Sequence, residues 1–288
     1  MTGGSPAGGV RGGKGEWHPR TGARVDRRRF AVSPSAGDRE RSAGSELLRR
    51  ARKLVRIASS PGYRRALRHG VAAAIEHERL PYRPDLRVVV DVGAHKGQFA
   101  TFARERFPAA KIVCIEPLPG PREALRSVLD GDGRVRVHDV AASNRTEERV
   151  EMHVSRHDDS SSLQPIGARQ IAAFPGTEES GSTLVRTVRL DELLDRAELD
   201  APGLLKIDVQ GHEYEVLEGA SGILAGFEQV VVEVSFAELY EGQRLAGDVT
   251  ALLHDAGFAL AGVFNLRRAR SGACLQADFL FERAEGGG

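Results

Sequence analysis

The stretch Val88-Val-Val-Asp-Val-Gly-Ala-His-Lys-Gly-Gln98 decides the fold of this chain of 288 residues. It joins a continuous apolar run to a carboxylate and then to a turn with glycines at positions 93 and 97. A parallel strand that is buried on both faces is apolar throughout, and in nucleotide-binding α/β folds a glycine turn leads from such a strand into a helix. The stretch therefore predicts the first strand, the binding loop and the helix start of a Rossmann-like sheet.

The spacing of the glycines distinguishes between cofactors. A dinucleotide loop that starts at Gly93 would need glycines where His95 and Gln98 stand, and these side chains would crowd a pyrophosphate. A second apolar run, Lys111 to Ile115, ends in Glu116. A carboxylate at that point can accept hydrogen bonds from both hydroxyls of a ribose. The sequence thus favours S-adenosylmethionine over NAD.

The chain resembles the FkbM-type S-adenosylmethionine-dependent methyltransferases over about residues 85 to 283. The most specific shared block is Leu205-Lys-Ile-Asp-Val-Gln-Gly-His-Glu213, and the chain departs from the family pattern at His95, usually Asn, and at Gln210, usually Glu. The resemblance implies a seven-stranded methyltransferase sheet and S-adenosyl-L-methionine as the methyl donor. The other matching segments are Asp91 to Gly97, Glu116-Pro117, Ala141 to Asn144, Leu190 to Leu193 and Val216 to Ala220.

Ligands of open parallel sheets bind beyond the carboxyl ends of the strands. Acidic residues end or nearly end five apolar runs, so we expect Asp91, Glu116, Asp139, Asp208 and Glu233 to converge on one edge. The resemblance places Asp139 to Ala141 beside the adenine ring, although Asp139 could instead serve its own turn. The expected cofactor-binding residues are Asp91, Gly93, Ala94, His95, Gly97, Glu116, Pro117, Asp139, Val140 and Ala141.

Three residues in the most specific block are candidates for catalysis. Methyl transfer depends mainly on alignment of nucleophile, methyl and sulfur, and a base adds a smaller factor. Asp208 ends a strand at the mouth of the sheet, and His212 has the ordinary pKa of a base near neutrality. Glu213 is the third candidate, but a carboxylate in the first turn of a helix also stabilises the helix dipole. An exposed His212 without a role is the alternative for that residue.

The sequence indicates no metal. Asp208, Glu213 and Glu233 could offer oxygen ligands to Mg²⁺, so that alternative stays open. Their spacing matches no self-contained metal loop, and no Cys/His cluster suggests zinc.

Three segments are expected along the chain. Residues 1–44, rich in Gly and Arg, read as a disordered tail or an over-extended start of the reading frame. Residues 45–84 contain helical patterns near 46–58 and 63–79, which we expect to pack on the domain. The alternative for the basic first helix is a membrane surface or an acidic partner. Residues 85–283 form the methyltransferase domain.

Within the domain, strands and helices alternate as in a doubly wound parallel sheet. We expect parallel strands near 87–91, 111–115, 134–140, 204–208 and 229–234, and a closing antiparallel hairpin near 259–264 and 274–282. The helices are expected near 97–107, 120–130, 191–197 and 212–224. An insertion at 146–187, with strand patterns near 148–154 and 183–190 and no clear helix, is interpreted as a substrate-facing loop.

Composition limits the partners. A formal net charge of +1 argues against a dedicated nucleic-acid binder. No apolar stretch is long enough for a membrane span, and no signal-peptide pattern is present, so we expect a cytoplasmic protein. The sequence does not indicate an oligomeric state.

The expected reaction is methylation of a hydroxyl on a small-molecule acceptor, and the resemblance alone suggests a sugar, polyketide or related molecule. N- or C-methylation, a nicotinamide oxidoreductase and a non-catalytic binding module are the alternatives. The oxidoreductase is disfavoured by His95 and Gln98.

Overall fold

The computed structural model describes residues 55–56, 60–199 and 202–284. The expected tail at 1–44 and nearly all of the expected helix at 46–58 lie outside the described residues. The described chain forms a large sheet covered by helices and a smaller sheet built from the insertion.

The large sheet has seven strands in the order β3-β2-β1-β7-β8-β10-β9. β1, β2, β3, β7 and β8 pair in parallel, whereas β10 is antiparallel to both β8 and β9. This arrangement confirms the expected Rossmann-like sheet with a C-terminal antiparallel hairpin. The strands are β1 (Val88–Val92), β2 (Lys111–Ile115), β3 (Val135–His138), β7 (Gly203–Ile207), β8 (Gln229–Ser235), β9 (Phe258–Arg268) and β10 (Cys274–Arg283).

The apolar run of β1 is buried on both faces because helices cover each side of the sheet. Val88 and Val90 contribute to one apolar cluster, and Val89 contributes to the other. Helices α2 (Gln98–Arg106) and α3 (Pro119–Leu129) pack on the Val89 side, and α6 (Glu213–Gly219) and α7 (Ala246–Asp255) pack on the opposite side. The α7 helix is absent from the sequence predictions. The short helix α5 spans Leu190–Leu193.

The N-terminal helix is shorter than expected. The pattern over 63–79 predicts one helix, but α1 covers Pro61–Arg68, and Ile75–Arg79 form a separate 3-10 turn. The helix ends because Gly70 adopts a φ of 75°, and the buried Val71 then carries the chain onto the domain. In the parts of the chain that the structure describes, no helix has the length and apolarity needed to cross a membrane.

The insertion and the preceding strand β4 form a separate three-stranded sheet, in the order β4-β6-β5. The long strands β5 (Glu147–Ser155) and β6 (Glu179–Val188) pair antiparallel, and β4 (Ala141–Ala142) joins β6 in parallel. Both strand patterns in this segment are therefore confirmed. The expectation of a segment without a helix is wrong, because α4 spans Ala168–Ala173 between the two long strands.

Candidate active site

A cleft of about 980 Å³ lies beyond the carboxyl ends of the parallel strands. The loop after β1, the segment after β2 and the end of β7 form one part of its lining. The insertion and the β9–β10 hairpin form other parts, as does the 3-10 turn that precedes β1. The glycine loop, the insertion and the hairpin therefore face one common cleft.

The glycine loop is held against the neighbouring strand β7. Gly93 has a φ of 75°, and a Cβ at this position would collide with the carbonyl oxygen of Asp208. Gly97 has a φ of 88°, and a Cβ there would lie 2.6 Å from the Leu125 side chain. Both glycines thus permit close packing within the protein. Gly93 brings the loop into contact with Asp208.

Glu116 ends β2 and anchors the glycine loop. Its Oε2 accepts a hydrogen bond from the His95 backbone N–H at 2.9 Å, and its Oε1 accepts one from the Leu118 N–H at 2.8 Å. Burial raises the pKa of Glu116 to about 7 against the opposing effect of these two donors. His95 itself has a φ of 47°, a left-handed conformation that positions its N–H toward the carboxylate. Each carboxylate oxygen retains lone-pair capacity for a ligand hydroxyl.

Asp91 does not line the cleft and forms a buried ion pair. Its carboxylate is fully buried and lies 3.1 Å from the Lys206 Nζ, which is 3.7 Å from Asp208 Oδ2. Burial alone would lower the pKa of Lys206, but the carboxylates of Asp91 and Asp208 raise it above its ordinary value. Lys206 therefore links the buried Asp91 to a carboxylate in the cleft.

The structure brings most, but not all, of the predicted cofactor residues to the cleft. Asp139 is exposed and Val140 is buried outside the lining, and Asp91 and Gly97 do not line it either. Of the five acidic residues expected at this edge, Asp91 and Asp139 do not line the cleft. The predicted cofactor residues that line the cleft are Gly93, Ala94, His95, Glu116, Pro117 and Ala141.

Asp208 is the catalytic candidate whose carboxylate opens to the cleft. Its side chain is 36% exposed, and its Oδ1 accepts a 2.7 Å hydrogen bond from the Gln210 amide. The same Gln210 nitrogen donates to Glu233 at 3.1 Å. Gln210 thus connects two carboxylates at the ends of β7 and β8, in a left-handed conformation with a φ of 58°.

His212 also lines the cleft, but its environment differs from that of a base near neutrality. Its Nε2 lies 3.0 Å from the Ser143 hydroxyl, and its side chain is mostly buried. Burial lowers the pKa of His212 to about 4. The imidazole is neutral at pH 7, so the ordinary histidine pKa on which the sequence hypothesis rested does not apply.

Glu213 does not line the cleft. Its Oε1 accepts hydrogen bonds from the backbone N–H groups of Val209 and Gly211, at 3.1 and 3.0 Å. Burial raises its pKa to about 7, and the backbone donors oppose that shift. Glu213 therefore fixes the loop that follows Asp208.

The carboxylates of Asp208, Glu233 and Asp278 form a row across the cleft. The sequence analysis identified Asp208 and Glu233 but not Asp278. Asp278 on β10 is directly opposite Glu233 on β8. Burial, followed by the charges of Asp208 and Asp278, raises the pKa of Glu233 well above its ordinary value. Burial also raises the pKa of Asp278 to about 6, although a 2.6 Å hydrogen bond from Asn265 opposes this shift. Asp278 follows an apolar–polar alternation along β10, which was the available signal for it.

In the described ranges, no group of three or more His, Cys, Asp or Glu side chains has the geometry of a metal site. Of the three carboxylates considered from the sequence as Mg²⁺ ligands, Asp208 and Glu233 line the cleft, whereas Glu213 accepts hydrogen bonds from the loop backbone and does not line it.

The sheet order, the glycine loop and the acidic strand ends define a Rossmann-like α/β protein whose ligand site lies beyond the carboxyl ends of the strands. The sequence of residues 91–260 matches the family model of the methyltransferase FkbM domain, and the chain belongs to this family. It is a methyltransferase of the FkbM type.

Three curated relatives are similar over most of the domain. The 31-O-demethyl-FK506 methyltransferase FkbM of Streptomyces tacrolimicus is 31% identical over 217 residues, covering 67% of this chain and 77% of that protein. The 2-O-methyltransferase NoeI of Sinorhizobium fredii is 30% identical over 167 residues, covering 56% and 68%. The hexuronic acid methyltransferase AglP of Haloferax volcanii is 27% identical over 183 residues, covering 60% and 69%.

Proposed function

We propose that the cleft binds S-adenosyl-L-methionine together with a small acceptor and that the protein methylates a hydroxyl of that acceptor. When bound, S-adenosylmethionine supplies an electrophilic methyl group on a positively charged sulfonium. Two of the relatives' names specify an oxygen as the methylated atom, and a third names a hexuronic acid as the acceptor, which supports a hydroxyl on a sugar, polyketide or related molecule.

The residues present fit the donor. Glu116 offers a buried carboxylate to the ribose hydroxyls at the end of β2. Beside it, an apolar group suited to an adenine ring lines the cleft and draws on three separate segments of the chain. Its members are Leu118, Ala141, Met152 and Leu163. Gly93, Ala94 and His95 would hold the remainder along the loop backbone.

Asp208 is the residue that we propose to accept the proton of the acceptor hydroxyl. The observation that supports this assignment is the close approach of Gly93 to the Asp208 carbonyl. Because of it, the glycine loop that we propose to hold the donor lies beside Asp208. Lys206 and Gln210 hold the Asp208 carboxylate from both oxygens. A positioned base contributes about 100- to 10,000-fold, and alignment of the reactants contributes more.

Incubation with methyl-labelled S-adenosylmethionine and a panel of sugars, macrolides and amines tests the proposal. We expect label in a product whose new methyl group is on oxygen, together with calorimetric binding of S-adenosylhomocysteine but not of NADH. Methylation on nitrogen or carbon would contradict the acceptor assignment. Absence of S-adenosylhomocysteine binding would contradict the donor assignment.

A further inference from the structure

A buried amide oxygen without a hydrogen-bond partner among the described residues belongs to a residue that lines the cleft. Gln170 on α4 is 2% exposed, and its Oε1 has no hydrogen-bond partner among the described residues. A buried amide oxygen that stays unsatisfied costs about 1 to 3 kcal/mol. Neighbouring polar residues of the insertion are satisfied internally, since Thr177 bonds the Phe174 carbonyl and Ser161 accepts the Ser155 N–H. The Oγ of Ser155 and the Oε1 of Gln164 in the insertion are also buried without a partner among the described residues, but of these three residues only Gln170 lines the cleft.

The lining that Gln170 shares with other parts of the cleft is rich in hydroxyl-binding groups. The carboxylates of Asp208, Glu233 and Asp278 form a row across β7, β8 and β10. Carboxylates accept hydrogen bonds from hydroxyl groups, and amides can donate and accept them. The other contributing side chains are the amides of Gln210, Asn265 and Gln276 and the rings of Phe174 and Phe264.

The insertion is joined to this row through Tyr240. The Tyr240 hydroxyl lies 2.8 Å from Gln210 Oε1 and 3.1 Å from the Ser160 carbonyl oxygen, and both oxygens can accept its proton. Gly167, at the start of α4, packs on the Leu239 carbonyl, where a Cβ would lie 2.5 Å from the oxygen. These contacts fix α4, and with it Gln170, relative to the loop that holds Asp208.

We infer that Gln170 is a specificity-determining residue that binds a hydroxyl of a polyhydroxylated, sugar-like acceptor between α4 and the carboxylate row. This inference rests on the proposed function and narrows its acceptor class. A sugar ring has several hydroxyls on its edges and apolar C–H faces. It therefore suits amides, carboxylates and aromatic rings together, whereas an alcohol with one hydroxyl satisfies few of these groups.

Ligand-observed NMR with three probes tests the inference in the presence of saturating S-adenosylhomocysteine. The probes are the methyl β-glycosides of glucose, galactose and mannose, with cyclohexanol as the single-hydroxyl comparison. We expect at least one glycoside to bind more tightly than cyclohexanol and Gln170→Leu to weaken it about tenfold. Failure of all three glycosides to exceed cyclohexanol overturns the inference, as does unchanged binding by the variant.

Two further measurements on the Gln170→Leu variant distinguish a loss of acceptor binding from a loss of stability or of donor binding. Gln170→Leu removes a buried amide oxygen that has no partner among the described residues, so its Tm should be close to or above that of the wild type, and its affinity for S-adenosylhomocysteine should be unchanged. Loss of that affinity would assign Gln170 to the donor site and overturn the inference. Gln164→Leu is the matched control, because its Oε1 is also buried without a partner among the described residues, yet it lies outside the cleft lining. It should leave glycoside binding unchanged.

If the wild type binds no S-adenosylhomocysteine, the proposed function fails. If it binds S-adenosylhomocysteine but none of the glycosides, only the acceptor inference fails.

Discussion

The Lys206 ammonium lies 3.1 Å from the fully buried carboxylate of Asp91, at the centre of the parallel sheet. A buried pair stabilises little relative to apolar residues, but loss of one partner leaves the other charge uncompensated. Lys206 also reaches Asp208, so the buried pair holds a residue of the cleft in place.

Lys206→Met should lower the free energy of unfolding by about 3 to 5 kcal/mol, because Asp91 would remain buried without its counter-charge. Urea denaturation measures the change. The double variant Asp91→Asn with Lys206→Met should lose less unfolding free energy than the sum of the losses of the two single variants. Strict additivity would show that the two charges do not stabilise each other.

The raised pKa of Glu116 leads us to expect that donor binding depends on pH. Its pKa of about 7 is raised by burial, and the charge of Asp91 adds to the shift while Arg122 opposes it. The ionised form accepts ribose hydroxyls, so protonation below pH 7 removes acceptor capacity. The affinity for S-adenosylhomocysteine should therefore fall about tenfold from pH 8 to pH 6.

Calorimetry over this pH range provides the measurement, and Glu116→Gln should give a nearly flat profile with weaker binding at pH 8. The variant should also lose stability, because the backbone N–H groups of His95 and Leu118 lose carboxylate acceptors. An unchanged pH profile in the variant would assign the titration to another group.

Asp208→Asn should lower kcat about 100-fold or more while leaving the affinity for S-adenosylhomocysteine within a few-fold. The amide preserves the shape of the side chain and removes its capacity to accept a proton. Single-turnover rates at saturating donor test this split. His212→Ala is the comparison, and a larger loss of kcat there would transfer the role of base to His212.

Gly93→Ala should destabilise the protein by about 3 kcal/mol or more, because a positive φ and a collision with the Asp208 carbonyl act together. Gly131→Ala is a matched control, since Gly131 has the same φ of 75° and no atom within 4 Å of an added Cβ. That change should cost about 1 kcal/mol. Equal losses in urea denaturation would remove the packing argument for Gly93.

The strands of the large sheet were predictable because β1, β2, β7 and β8 are short apolar runs with polar ends. The helical periodicity of residues 63–79 predicts one continuous helix, but the left-handed conformation of Gly70 ends it. Periodicity does not reveal such an interruption by a single residue. The α7 helix was missed although Val249 and Leu253 have helical spacing.

Side-chain direction in the site depended on tertiary packing. The sequence identified Glu116 and Asp208 because the ends of parallel strands meet at one edge. It could not show that Glu213 faces a backbone loop, since that depends on how residues 209–211 turn. Gln170 carries no local signal, because its burial results from the docking of α4 on Leu239 and Tyr240.

The insertion begins and ends at one place, where Ala141 is paired with Thr187 and Ala142 with Val188. Because the two ends are adjacent, the segment between them can be exchanged for one of different length without moving β3 or β7. We therefore expect exchange of this segment to alter acceptor preference while the glycine loop and Glu116 keep their positions.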